Sequence, residues 1–371
     1  MLSSQAKRNI SRIIPFGIIW LVFSLIYSLL ERGIMGVVGF YPSTGNPYNF
    51  NKTIISTAII ALVIGLLVGC AEILFLNKMF QRRSFAIKIF FKMVLYLAVI
   101  ICFLFLSSVI HNSSELKLGI LSKPVWLNAW AFFTNFAFWS VAIYAGAIIG
   151  ISLFYMEVSE NMGQAVLNNF FTGKYHAPVV EERIFMFLDM KSSTSIAEDI
   201  GHVKYFEMLK EYFADLTNPI IKYSGEIYQY VGDEIVVSWS QQKGLSNNNC
   251  IKCFFAMNEA IKKQAIKYKE KFAVVPEFKA GLHIGRVTTG EIGVIKKDII
   301  FTGDTLNTTA RIQSLCNEYN VNILVSGQLM KRLQLQSLSQ FQVESLGEHE
   351  LKGRIEKIVL FTFRSKIAAH S

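Results

Sequence analysis

The hydrophobic pattern of this chain changes character once, near residue 155. Before that point, apolar residues run in four long stretches, at residues 13–30, 54–76, 89–110 and 125–154. A helix needs about 20 residues to cross a bilayer, so each stretch predicts a transmembrane helix. The first is too long, and lacks a small-residue cleavage site, to be expected as a removable signal peptide. Residues 156–171 stay helix-compatible but turn polar. Val158, Met162, Val166 and Phe170 recur every four residues as a narrow apolar stripe, which Gly173 and Pro178 should end. Such a stripe packs either against a second copy or against its own chain. The rest has the mixed composition of a globular domain, roughly 200 residues with its own core. The expected organisation is a four-helix transmembrane domain over 1–155, a helical connector over 156–181 and a soluble domain over 182–371.

Composition sharpens this picture. Of 371 residues, 52% are hydrophobic and 17% charged, against a usual charged share of about 25%. The net charge of +10 would suit nucleic acid, but the positive residues flank the apolar stretches. Lys7, Arg8, Arg12, Lys78, Arg82, Arg83 and Lys88 lie on one side; Arg32, Lys52, Lys117 and Lys123 lie on the other. Seven against four predicts a multi-pass integral membrane protein with both termini and the soluble domain in the cytoplasm. No nucleic-acid partner is expected. The outer loops are too short for a separate extracellular sensor. Two ionisable residues fall inside spans, Glu72 and Lys92, at similar depth near the cytoplasmic side. They either pair, or Lys92 snorkels to the headgroups while Glu72 borders the interface. The five cysteines, Cys70, Cys102, Cys250, Cys253 and Cys316, are an odd, scattered set without a disulfide framework.

Three motifs in the soluble part carry chemistry. Residues 183–189 form an apolar run ending in Asp189, followed by a polar turn with Ser192, Ser193 and Thr194. Strand, turn and helix start would aim backbone N–H groups at phosphate oxygens, with the acid beside them holding a cation. Residues 225–239 read as a hairpin with Asp233 in its Gly232-Asp233-Glu234 turn. Two carboxylates from separate strands repel unless cations lie between them, and hard oxygen ligands suit Mg²⁺ or Mn²⁺. Downstream, Asp304 or Thr305 can cap a helix on which Asn307 and Arg311 stand four apart, on one face. An amide there could orient a ribose, and a guanidinium could bind phosphate charge as it develops.

In this order and spacing, over about Glu182 to Phe363, the motifs resemble the catalytic domain of the class III adenylyl and guanylyl cyclases. The resemblance implies an α/β domain with an antiparallel-rich sheet, active as a homodimer with its sites at the interface. It implies two Mg²⁺ or Mn²⁺ ions on Asp189, Asp233 and the Met190 carbonyl. Asn307 and Arg311 fall on the transition-state asparagine and arginine, which the other protomer would supply. Lys279 falls where a basic residue can meet the terminal phosphates, and Lys352 is a second candidate. The implied substrate is a nucleoside triphosphate, cyclised to a 3′,5′-cyclic nucleotide with release of pyrophosphate.

The base-reading positions depart from the family. They carry Gln229 and Ile300, where adenylyl cyclases use Lys with Asp or Thr and guanylyl cyclases tend to use Glu and Cys. Gln229 can donate and accept, whereas Ile300 offers only shape, so ATP is favoured over GTP solely because that activity is commoner in the family. A catalytically silent cyclase-like receptor or dimerisation module is the alternative; the two aspartates, Asn307 and Arg311 together weigh against it.

Overall fold

The computed structural model describes residues 4–42, 47–76, 79, 84–163, 166–167, 169, 172–338, 340–351 and 357–365. They form two compact units, one over Ala6–Asn168 and one over Asn169–Ser371 that also takes in Met1–Gln5.

The N-terminal unit is helical: α1 (Ser4–Met35), α2 (Phe50–Ala71), α3 (Phe85–Leu116), α4 (Lys123–Thr134) and α5 (Phe136–Met162). A π-helical turn, Glu72–Leu76, prolongs α2. Helices α1, α2 with its π turn, α3 and α5 are each long and apolar enough to cross a membrane. Four candidate spans are therefore present among the described residues, as the pattern predicts, but the fourth is displaced. Asn135 breaks the 125–154 stretch by adopting an extended backbone (φ −77°, ψ 141°), and its side chain accepts the Ala137 N–H at 2.8 Å. A side-chain cap that replaces a backbone acceptor starts a new helix in the middle of an apolar run. The span is then Phe136–Met162.

Small residues set the helix spacing. A Cβ on Gly65 of α2 would lie 2.7 Å from the Phe16 carbonyl oxygen and 2.8 Å from the Trp20 Cβ, so α1 and α2 meet there at backbone distance. The Tyr144 hydroxyl of α5 donates to the Phe23 carbonyl of α1 at 2.7 Å. Val63, Leu67, Phe103 and Ile143 point outward, exposed, as a lipid-facing surface requires. Glu72 and Lys92 do pair, at 0% and 1% exposure, which excludes snorkelling for Lys92. Helix α5 stops at Gly163 (φ +85°); the described residues 166, 167, 169 and 172 beyond it are again helical, and Gly173 (φ +63°) stands in the turn that follows. Met162 and Val166 of the apolar stripe are exposed. Phe170, like Lys78, Arg82 and Arg83, lies outside the described residues.

The second unit is a single mixed sheet with helices. In order come β1 (Val179–Met190), α6 (Ser193–Ile200), α7 (His202–Lys222), β2 (Glu226–Val231), β3 (Glu234–Ser240), α8 (Asn249–Lys263), α9 (Ala265–Phe272), β4 (Phe278–Ile292), β5 (Asp298–Thr302), α10 (Asp304–Ser314), β6 (Ile323–Ser326), β7 (Phe341–His349) and β8 (Ile358–Ser365), with shorter turns between. The eight strands run β2-β3-β1-β4-β6-β8-β7, with β5 also on β4. Only β4 and β6 pair in parallel, so the sheet is largely antiparallel, as expected. Strand alternation divides its residues between two faces. Met186, Leu188, Ile235, Val237 and Trp239 pack with Tyr212, Leu216, Phe254 and Met257 of the helices. Phe185, Phe187, Val236 and Val287 form the other cluster, with Phe301 and Leu306 against it. Cys250, Cys253 and Cys316 are buried and free, consistent with packing roles.

Helix α10 sits on β4 because two glycines leave room. A Cβ on Gly281 would lie 2.4 Å from the Gln313 backbone nitrogen, and one on Gly285 would lie 2.5 Å from Thr305 Oγ1. Backbone cannot retreat as a flexible side chain can, so overpacking there shifts the helix. Gly281→Ala is expected to lower stability by about 1–3 kcal/mol, read as thermal unfolding of the detergent-solubilised chain. An unchanged midpoint would mean that the close seat of α10 on β4 does not exist in solution.

Candidate active site

The site is built where β1 ends. Strand β1 carries a buried apolar run up to Asp189, which stands opposite Lys279 of β4 in register. On its other side β1 pairs with β3, Leu188 opposite Ile235. The β2–β3 turn, with Gly232 at φ +62°, then delivers Asp233 to the same end of the sheet. A left-handed turn position is open to glycine without strain, which explains the Gly232-Asp233 order. The two acids meet: burial, and then the Asp233 charge, raise the pKa of Asp189. Asp233 Oδ2 is buried without a hydrogen-bond partner among the described residues. Asp189 Oδ2 accepts from Gln313 Nε2 at 3.2 Å and lies 3.4 Å from Lys279 Nζ. Lys279 also donates to Asn317 Oδ1 at 3.1 Å.

This donor set fits a hard divalent cation. An ionised carboxylate with an orphaned, buried oxygen costs desolvation energy that a cation offsets. No group of three or more His, Cys, Asp or Glu residues at ligand spacing occurs among the described residues. Beyond these carboxylates, backbone, water or substrate oxygens would complete the coordination, the usual arrangement for Mg²⁺. The turn after β1 adds donors. Ser192 is left-handed (φ 53°), Ser193 opens α6, and Ile196 N–H bonds the Ser192 carbonyl at 3.0 Å. The first N–H groups of a helix have no intrahelical acceptor, so those of Ser193 and Thr194 are free of helical pairing.

Helix α10 has a buried face and an outward face. Thr305, Thr308, Thr309, Ile312 and Gln313 are buried, and Gln313 reaches Asp189 from that side. Asn307 is exposed and Arg311 half-buried, on the opposite face. The chain thus gathers Asp189, Asp233, Lys279 and Gln313, while α10 turns Asn307 and Arg311 away from that group. Gln229 is exposed on β2, beside an irregularity in the β2–β3 pairing at Tyr228. Ile300 is half-buried on β5, opposite Gly290. The Tyr228 hydroxyl accepts the Phe301 N–H at 3.3 Å, and their rings meet at 4.8 Å. Positions adjacent to Gln229 and Ile300 are therefore joined directly. Lys352 lies outside the described residues.

Sequence reasoning missed three residues of this cluster. Gln313 follows Arg311 by two, so helical geometry alone turns it to the other face; only packing on Gly281 aims it at Asp189. Glu234 directly follows Asp233, and burial with the charges of Asp189 and Asp233 pushes its pKa up to about 7. The hydroxyl of Tyr212 is buried without a hydrogen-bond partner among the described residues. Burial and both aspartates raise its pKa well above the usual tyrosine value.

The Glu234 shift fixes the sign of a pH effect. Its folded pKa of about 7 lies above its ordinary 4.5, so between these values the folded state binds the extra proton. Stability of the cation-free protein should fall as pH rises through that window and level off above it. Divalent cations bind the ionised form, so Mn²⁺ should raise the unfolding temperature more at pH 8 than at pH 5. Equal gains at both pH values would separate this acidic cluster from cation binding.

Comparison with known proteins agrees with this architecture. The family described as "Adenylate and Guanylate cyclase catalytic domain" matches residues 177–365. Adenylate cyclase 2 of Rhizobium meliloti (strain 1021) is 39% identical over 223 residues, 60% of this chain and 61% of the relative. The adenylate cyclase of Anabaena cylindrica is 25% identical over 192 residues, 48% of this chain and 36% of the relative. The chain therefore spans less than two thirds of the length of these curated relatives. A solved bacterial light-regulated adenylyl cyclase superposes with a TM-score of 0.50 at 20% identity, covering 59% of this chain and 63% of that one, a likeness of fold. With the acidic pair, the α10 helix and the largely antiparallel sheet already in place, the match over residues 177–365 identifies the chain as a member of the class III adenylyl and guanylyl cyclase family.

Proposed function

We propose that this chain is a membrane-anchored adenylate cyclase that works as a homodimer, with both termini and the catalytic unit in the cytoplasm. One observation carries the reading. A single chain assembles the Asp189/Asp233 pair, while Asn307 and Arg311 point outward with no polar partner among the described residues. A two-fold dimer would supply the missing half of each site from the other copy, giving two equivalent sites.

ATP is the favoured substrate because both curated relatives above are named adenylate cyclases. Two Mg²⁺ or Mn²⁺ ions on Asp189, Asp233 and the Met190 carbonyl would lower the pKa of the ribose 3′-hydroxyl and offset charge at the α-phosphate. N–H groups at Ser192, Ser193 and Thr194 would hold triphosphate oxygens. Asn307 of the other copy orients the ribose, so that the 3′-oxygen lies in line with the α-phosphorus. The 3′-hydroxyl gives its proton to water, its oxygen bonds the α-phosphorus as the bond to the bridging oxygen breaks, and pyrophosphate leaves. Arg311 binds the charge that grows on the α-phosphate oxygens. Lys279, and Lys352 as a second candidate, would meet the terminal phosphates. Gln229 and Ile300 would contact the base, Gln229 by hydrogen bonding and Ile300 by shape.

The test is an assay of the whole chain in detergent with ATP and GTP in Mg²⁺ and Mn²⁺. Cyclic AMP is the expected product; a folded dimer yielding no cyclic product from either nucleotide would falsify the enzyme reading. Arg311→Ala should lower turnover by roughly 10²–10³, and Asp233→Ala should abolish it. Coexpressing the two variants should restore roughly a quarter of native activity, since half the dimers are hybrids with one intact interface site each. Proven hybrids without activity would rule out the shared site.

A further inference from the structure

The helical unit holds a buried charge network that the cyclase reaction does not use. Lys92 of α3 pairs with Glu72, at the start of the π turn after α2, and lies 3.5 Å from Glu157 of α5. Lys88 of α3 meets Glu157 at 3.1 Å. Tyr96 donates to Glu72 Oε2 at 3.1 Å, and Arg12 of α1 pairs with Glu160 of α5. Three cations face three anions, and all four spans contribute. Glu157 is 4% exposed, although charges this deep among apolar helices are expensive.

We infer that this network is a register lock, through which the arrangement of the spans sets the catalytic rate. The inference rests on the proposed cyclase activity. Buried ion pairs are weak devices for stability, since apolar replacements often do as well; their best-attested use is to fix one register or switch between two. Two features place the lock at a control point. Glu157 and Glu160 stand one turn apart on α5, the helix that ends at Gly163 before the chain enters the catalytic unit. Glu72 opens a π-helical turn, a geometry that appears mostly at functional sites. A small rotation or slide of any span must break or re-pair these charges, so the bundle favours discrete arrangements over continuous ones.

The test neutralises the lock without leaving an orphaned charge. Glu72→Gln with Lys92→Met, in the full-length chain, removes one pair. Lys88→Met with Glu157→Gln is a second variant, should the first fail to insert. Turnover at saturating ATP should fall roughly fivefold with KM unchanged, while the unfolding temperature stays near native. Amide hydrogen exchange over Leu153–Met162 should quicken. Native turnover and native exchange in a stable double variant would overturn the lock, and so would a rate loss matched by unfolding. Exchange is read without any catalysis. A native chain that makes no cyclic nucleotide therefore sinks the cyclase reading, while exchange still reports on the lock.

Discussion

Repulsion between Asp189 and Asp233 is the constraint on which the catalytic unit turns. Separate strands bring the two carboxylates together, and the sheet must hold them there against their own charge. It does so through the antiparallel register of β1 with β3 and β4, with Leu188 opposite Ile235 and Asp189 opposite Lys279. Beneath the strands lies a core that includes Trp239, Tyr212 and Phe254. A slip of one residue would turn Asp189 to the opposite face. The apolar core thus does for the acids what no local hydrogen bond could: it fixes their separation before any ligand arrives.

Helix α10 extends that constraint outward. Its inner face is seated by Gly281 and Gly285 and brings Gln313 to Asp189. Its outer face carries Asn307 and Arg311. One rigid helix cannot turn both faces to the same carboxylates. The proposed dimer resolves this geometry: each α10 would brace its own acidic pair and serve the other copy's. Displacing the helix would then disturb both sites together.

Much of this was legible in the sequence, for definite reasons. Apolar runs reveal candidate spans because the bilayer demands length and little else, and α1, α2 with its π turn and α3 each enclose the expected stretch. Asn135 was harder, since one capping side chain shifts a helix without altering hydropathy. The catalytic motifs were legible because each lies within a few residues, as with Gly232-Asp233 or Asn307 and Arg311. Gln313 and Asp189 are 124 positions apart, and only the seat of α10 on β4 makes them neighbours. The Tyr228–Phe301 contact is of the same kind. It joins β2 to β5 beside Gln229 and Ile300, so the surroundings of these two proposed base contacts depend on a tertiary junction that no local motif encodes.

The two units treat buried charge in opposite ways, and the difference separates structural from ligand-binding clusters. In the helical unit, Glu72, Glu157 and Glu160 are matched by Lys88, Lys92 and Arg12. Protein groups alone satisfy that cluster. At the end of β1, Asp189, Asp233 and Glu234 crowd together, with Lys279 their cation, and that lysine is shared with Asn317. The deficit shows as raised carboxyl pKa values and an unpartnered Asp233 oxygen. A balanced network needs nothing further and can serve to set helix register. An unbalanced one would be completed by a cation, as in the proposed active site, so charge imbalance, rather than burial, is what separates the two clusters.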